Sequence, residues 1–146
     1  MAKDLNRSFD YREFTLQVIR HQQAIADKLG LNLTDFKCLG LLHRQGPMSP
    51  KDLSNAMNMS AAAVTTIIDR LEKAGYATRS RSGEDRRSLT VHAIAGSERK
   101  VASLYRSLKV ASERLLAEYT EQEFQMISGY LSKATEALRY ATSKLL

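Results

Sequence analysis

The chain has 146 residues, 43% of them hydrophobic, and a formal net charge of +6 at pH 7. These values fit one globular domain, and the excess of positive charge predicts a polyanionic partner, with nucleic acid ahead of a membrane surface. A single cysteine excludes an internal disulfide, and no apolar run approaches the ~20 residues of a membrane span, so we expect a cytoplasmic protein with no membrane contact.

The first 46 residues predict two helices. The first runs from about Asp10 to Leu29 and ends at Gly30; its apolar residues at helical spacing are Phe14, Val18, Ile25 and Leu29. Thr34 is expected to cap the second helix, which ends before Gly46 and Pro47.

The stretch "MSPKDLSNAMN" predicts a short, strongly capped helix. Ser49 is expected at the N-cap with Pro50 at the first helical position, and Asp52 is expected to complete a capping box. Asn58 is a plausible left-handed stop, after which Ser60 caps the next helix.

The segment "AAAVTTIIDRLEKAG" predicts a longer helix that ends at Gly75 and buries one apolar stripe, made of Val64, Ile67, Ile68 and Leu71. Two helices joined by about three residues, the second longer than the first, form a helix-turn-helix pattern.

After Gly75 the apolar period changes from 3.6 to 2. The segments "YATRSR" and "RSLTVHAI" predict two strands joined by a turn at Gly83, and the chain is helical again from Ser97 to its end. A hairpin directly after a helix-turn-helix makes a winged helix. The predicted fold is therefore mainly α, with six helices and a small β-hairpin wing.

The second helix of the pair is expected to enter a major groove of DNA. Its outward face carries Ala62, Thr66, Asp69 and Lys73, flanked by Thr65 and Arg70. Small residues near its start allow close approach to base edges, and a threonine methyl can pack on a thymine methyl. The residues of this helix expected near the bases are Ser60, Ala62, Ala63, Thr65 and Thr66, and Arg70 is also expected to contact DNA.

The positive charge is concentrated in the hairpin, at Arg79, Arg81, Arg86 and Arg87. Asp85 lies two residues before Arg87, close enough for its carboxylate to orient that guanidinium, and a narrow minor groove attracts such an arginine. We therefore expect Arg87 to probe the minor groove. The residues expected at phosphates are Ser49, Lys73, Arg79, Arg81 and Arg86.

The run "LTDFKCLGLLHRQGPMSPKDLSNAMNMSAAAVTTIIDRLEKAGYATRSRSGEDRRSLTV" resembles the central domain of the MarR family of bacterial transcriptional regulators. The most specific part is "VTTIIDRLEKAGY" followed by "DRRS". The resemblance implies a homodimer built by the first, fifth and sixth helices (residues 1–33 and 96–146) around lobes of residues 34–95. It also implies that Asp85 steadies Arg87, that Asp69 pairs with a wing arginine such as Arg86, and that a small aromatic or phenolic effector binds beside the dimer helices. Many members carry a basic residue where Thr66 stands.

The dimer is also supported by apolar positions in excess of what a small winged helix needs, since on a monomer they would form a large exposed patch. These are Leu108, Leu115, Leu116, Ile127, Leu131, Leu138 and Leu145.

The predicted function is that of a dimeric, sequence-specific repressor, with two helices in successive major grooves of a pseudo-palindromic operator. A winged helix that binds proteins, or DNA without sequence preference, is the alternative. No phosphate loop, nucleophile motif or carboxylate pair predicts an enzyme, and no cofactor is expected.

Five further residues are of types that can bind ligands. Cys38 occupies an apolar position of the second helix and is expected to be a buried, inert thiol. His21, His43 and His92 lack ligand spacing, so no metal is expected. Arg20, His21 and His43 lie on the helices that would line an effector crevice, although solvated surface positions explain them as well.

Overall fold

The computed structural model describes residues 11–81 and 88–146. Within these ranges the chain forms seven helices and one two-stranded antiparallel sheet, which is the predicted mainly helical fold with a hairpin wing. In chain order the elements are α1 (Tyr11–Leu29), α2 (Leu33–Gln45), α3 (Pro50–Met57), α4 (Ala61–Lys73), β1 (Ala77–Arg81), β2 (Leu89–Ala93), α5 (Ser97–Leu104), α6 (Arg106–Leu116) and α7 (Glu121–Ser143).

The prediction of six helices was wrong, because the expected fifth helix is two helices, α5 and α6, that are separated at Tyr105. No proline or glycine lies at this point, so the apolar spacing continues through it and gives no signal of a break.

The expected cap of α2 was also wrong. Asn32, in an extended conformation, accepts a hydrogen bond from the backbone N–H of Asp35 at 2.8 Å, and α2 already begins at Leu33. Thr34 therefore lies inside the first turn. Asparagine caps at least as well as threonine, so residue type alone favoured neither position strongly. The predicted ends hold, since Gly30 and Gly46 have positive φ angles of 71° and 79°.

The helix-turn-helix follows the sequence signals closely. The hydroxyl of Ser49 accepts from the backbone N–H of Asp52 at 3.0 Å and donates to its carboxylate at 2.7 Å, so the two side chains pair where a capping box was expected. Asn58 ends α3 in the left-handed region, with φ 51° and ψ 50°. Ser60 then caps α4 by accepting from the N–H of Ala63 at 3.2 Å. The turn is fixed by local hydrogen bonds at both of its ends.

The core of residues 11–104 is built on the inner stripe of α4. Val64, Ile67, Ile68 and Leu71 are each at most 2% exposed, as the sequence predicted. Val91 of β2 is fully buried beside them, and its backbone exchanges two hydrogen bonds with Met48, at 3.1 and 2.8 Å. This bridge ties the hairpin to the segment that precedes α3.

Residues 1–104 and 105–146 are two compact units. The second unit consists of α6 and α7, and Thr120 and Glu123 form a complete capping box at the start of α7. No residue of α6 or α7 is buried within this fully described part of the chain. In the described ranges, no helix combines the length and apolarity that crossing a membrane needs.

Candidate nucleic-acid interface

The N-terminal half of α4, the candidate recognition helix, is an exposed surface of small side chains. Ala62, Thr65 and Thr66 are exposed together with the cap Ser60, and Ala63 is half-buried. The start of a helix carries unsatisfied N–H groups and a partial positive charge, which attract phosphate oxygens and base acceptors. The four inward residues fix the rotation of α4, so this face is presented outward by the core itself.

Both threonines of this face bond to their own helix. The hydroxyl of Thr65 donates to the carbonyl of Ala61 at 2.9 Å, and that of Thr66 donates to the carbonyl of Ala62 at 3.1 Å. The side chains are thereby held in defined orientations before any partner is present.

Arg79 of β1 joins the hairpin to the recognition helix. Its guanidinium donates to Asp69 at 2.5 Å and also to Glu72, whose other carboxylate oxygen accepts from the Arg79 backbone N–H at 2.7 Å. Burial lowers the pKa of Arg79, but the bonds and charges of the two acids outweigh it and the pKa lies above its ordinary value. The sequence analysis named Arg86 as an example of a partner for Asp69; among the described residues, that partner is Arg79.

Arg70 is bound on the other flank of α4 by Asp35 of α2. The Asp35 carboxylate accepts from both Nε and NH2 of Arg70, at 2.7 and 2.6 Å, and this hydrogen bonding raises the pKa of Arg70. Asp35 is only 2% exposed, whereas the Arg70 side chain is 45% exposed. Arg70 was expected at DNA, and its pairing with Asp35 was not predicted, since the two positions are 35 residues apart and share no local motif.

The remaining predicted contact residues are distributed over α3, α4 and the hairpin segment. Ser49 is half-buried at the start of α3, while Lys73 at the end of α4 and Arg81 at the end of β1 are exposed. Asp85, Arg86 and Arg87, with the expected turn at Gly83, lie outside the described residues. Their roles in the minor groove and at phosphates stay predictions.

A buried tyrosine that the sequence analysis did not single out supports the base of the hairpin. The hydroxyl of Tyr76 donates to the carbonyl of Leu29 at 3.0 Å and accepts from the ammonium of Lys100 at 2.9 Å. Tyr76 is 6% exposed. It therefore connects the end of α1, the start of β1 and the helix α5.

The candidate ligand residues are dispersed over several elements. Cys38 is fully buried, and burial, with a smaller contribution from Asp35, raises the pKa of its thiol to about 11. His43 Nε2 lies 2.8 Å from the Ser97 hydroxyl, and His92 Nε2 lies 2.6 Å from the hydroxyl of Ser80 across the hairpin. Arg20 is exposed and His21 is half-buried on α1. Within residues 11–81 and 88–146, no group of three His, Cys, Asp or Glu side chains is placed to hold a metal ion.

A capped recognition helix with a salt-bridged hairpin beside it defines a winged helix-turn-helix protein, and comparison with known proteins agrees. The MarR family model matches residues 31–89. The chain is 33% identical to the uncharacterized HTH-type transcriptional regulator YcgE of Bacillus subtilis over 135 residues, which cover 92% of this chain and 88% of that protein.

Solved structures show the same fold. A MarR family protein from Bacillus stearothermophilus matches with a TM-score of 0.71 at 18% identity, over 88% of this chain and 89% of that one. MepR of S. aureus, in a complex with DNA, matches with a TM-score of 0.64 at 16% identity, over 88% and 96%. The chain belongs to the MarR family of transcriptional regulators, which have a DNA-binding winged helix.

Proposed function

We propose that this protein is a homodimeric repressor that binds a pseudo-palindromic operator in double-stranded DNA with sequence preference. One observation carries the proposal: the capped start of α4 is exposed and lined by small residues, and Arg79 braces the same helix against the hairpin. A rigid helix with a small, neutral leading face suits direct contact with base edges.

In this proposal α4 enters the major groove and the basic groups around it meet the backbone. Ser49, Lys73, Arg81 and Arg86 contact phosphates, and Arg87, oriented by Asp85, enters the flanking minor groove. MepR, a structural neighbour, is solved with DNA, which supports the same partner here. Base specificity then comes from α4, and much of the affinity comes from the hairpin.

The homodimer is supported by the apolar side chains that the chain leaves exposed. The helices α6 and α7 contain no buried residue, so their apolar side chains are exposed to water. Packing against a second copy of the chain would cover these side chains and so stabilise both helices. We assign residues 1–33 and 96–146 to dimerisation and 34–95 to DNA binding. The exposed large apolar residues of the second unit include Leu108, Leu115, Leu116, Ile127, Leu131, Leu138 and Leu145.

Release from DNA by a small aromatic or phenolic molecule is part of the proposal. Its support is the family resemblance, which places the effector beside the dimer helices; Arg20, His21 and His43 lie on α1 and α2, and we assign no residue to the site.

The proposal is tested by selection of genomic DNA. Purified protein is mixed with sheared DNA from its source at about 0.15 M salt, where non-specific binding is weakened. The bound fragments are then recovered and sequenced. We expect one enriched pseudo-palindrome whose half-sites lie about one helical turn (~10 base pairs) apart. Recovery of unselected fragments, or of none, would overturn it in favour of an architectural or protein-binding winged helix.

A further inference from the structure

The centre of the outward face of α4 is formed by Ala62 and Thr66. At 100° per residue these positions lie almost opposite the buried stripe of Val64, Ile68 and Leu71. Both are exposed, and Ala62 lies one turn before Thr66, where its single methyl group allows a close approach to the helix. Thr66 is thus the first larger side chain that a partner in front of α4 meets.

The polar capacity of Thr66 is already partly used. A hydroxyl has one proton to donate, and that of Thr66 is donated to the carbonyl of Ala62 at 3.1 Å. Donation to a base acceptor would require breaking this bond. Without breaking this bond, the Thr66 side chain can contact a partner through its methyl group or accept a hydrogen bond at a remaining lone pair of its oxygen.

The charges next to Thr66 are compensated within the protein. Asp69, one turn along the same face, is paired with Arg79, and Arg70 on the flank is paired with Asp35. A surface of methyl groups with its neighbouring charges paired favours an apolar contact. In the major groove the apolar feature of the bases is the C5-methyl group of thymine.

We infer that Thr66 is a specificity-determining residue, and that its methyl group packs on the C5-methyl of a thymine in each half-site. The inference rests on the proposed function, because it requires α4 to lie in the major groove. Thr65 has the same bond to its helix but lies on the flank, so Thr66 makes the central contact.

The experiment removes the C5-methyl of thymine from the DNA, and it removes either the methyl group or the hydroxyl oxygen of Thr66 from the protein. The probe is a duplex carrying the sequence selected by the wild-type protein, in which deoxyuridine replaces each thymine of the half-site in turn and so removes only the C5-methyl. The proteins are the wild type, Thr66→Val, which lacks the oxygen, and Thr66→Ser, which lacks the methyl. Thr78→Ser is the control, since Thr78 is also exposed and its hydroxyl donates to a backbone carbonyl, that of Arg79, but it lies on β1 and outside the predicted DNA contacts.

We expect one thymine at which the uracil substitution weakens wild-type binding about fourfold per half-site, the factor that burial of one methyl group supplies. Thr66→Val and the Thr78→Ser control keep this thymine preference, whereas Thr66→Ser binds the thymine and uracil duplexes equally.

Three results would overturn the inference. The first is that the wild type binds the uracil and thymine duplexes equally at every position of the half-site. The second is a full thymine preference in Thr66→Ser, and the third is loss of that preference in Thr66→Val, which would assign recognition to the oxygen. Failure of the proposed function is distinct from these, since in that case the selection yields no enriched sequence from which to build the probe.

Discussion

The basic residues of α4 and β1 differ in whether the protein itself binds their charge. Arg70 and Arg79 are paired with carboxylates of the protein, whereas Lys73 is exposed at the end of α4. A cation that is already paired gains less from a phosphate, because it must share or give up its partner. We therefore expect the salt dependence of DNA binding to come from Lys73 and from the hairpin arginines predicted at phosphates, Arg81 and Arg86.

Lys73→Gln should weaken binding to all DNA sequences by similar factors. Each phosphate contact releases condensed counterions, so the slope of log Kd against log salt should flatten by about one unit per protomer. Titrations from 50 to 250 mM salt measure it. Lys133→Gln is the control, since this exposed lysine lies on α7, and it should leave the slope unchanged. An unaltered slope in Lys73→Gln would mean that Lys73 contacts no phosphate.

Cys38 should be inert in the folded protein. Burial raises the pKa of its thiol to about 11, so the reactive thiolate is scarce at pH 8 and the sulfur is closed to solvent. A disulfide reagent at pH 8 should label it only as fast as the protein unfolds, and at once in denaturant. Rapid labelling of the native protein would contradict the assignment of Cys38 as an inert thiol.

At the scale of elements, the Asp35–Arg70 pair fixes α4 against α2. Removing Arg70 should destabilise the protein more than removing the charge of Asp35. Arg70→Gln leaves the buried Asp35 carboxylate without its guanidinium partner, which should cost about 3 kcal/mol. Asp35→Asn leaves an arginine that can turn to water, and should cost about 1 kcal/mol. Urea unfolding at fixed protein concentration measures both.

The exposed Arg139 of α7, paired with Glu136, is the matched control for this comparison, and Arg139→Gln should change stability by less than about 0.5 kcal/mol. A larger loss in Asp35→Asn than in Arg70→Gln would contradict the asymmetry.

The contact between α2 and α5 should depend on pH. Burial lowers the pKa of His43, with Glu98 acting in the opposite direction, so the unfolded chain binds the proton more readily than the folded one. The contribution of His43 is therefore complete above about pH 6.5 and is lost as the pH falls. His43→Gln keeps a partner for Ser97 and should reduce the stability difference between pH 7.5 and pH 5. If His43→Gln leaves the stability difference between pH 7.5 and pH 5 unchanged, groups other than His43 cause that difference.

The elements that the sequence predicted are those whose signals are local. Ser49, Asn58 and Ser60 each act within three residues, and each takes its predicted place in the helix-turn-helix. The cap at Asn32 was missed because two capping residues compete within three positions, and the break at Tyr105 carries no breaker residue. The Asp35–Arg70 pair joins residues far apart in sequence, so only the folded chain brings it together.

At the scale of the molecule, exposed apolar surface is the dominant feature outside the winged helix. On α1, Phe14 is 68% exposed, and on α7, Leu138 is 69% exposed. Monomeric proteins rarely leave so many large apolar residues in water, and a symmetric pair of copies covers such surfaces on both partners. The proposed binding at two half-sites of DNA requires the same association.

Replacing Leu131 and Leu138 with lysine should convert the dimer to a 16.4 kDa monomer, because charged groups would be forced into the apolar contact. Sedimentation equilibrium measures the mass. Lys133→Glu on the opposite side of α7 is the control and should stay dimeric. Because one lobe then binds alone, the monomer should also lose most of its affinity for a two-half-site operator. A wild type that sediments as a monomer would refute the dimer.

The brace from Arg79 to Asp69 and Glu72 has a consequence for exchanging binding preferences between relatives. A transplant of α4 alone into another winged helix would separate Asp69 and Glu72 from the arginine that pairs with both, and would leave their negative charge less compensated. Residues 60–81, from the cap of α4 to the end of β1, carry the helix together with Arg79. If α4 reads DNA as proposed, we expect a preference to be transferred only when the helix is moved together with its adjoining strand.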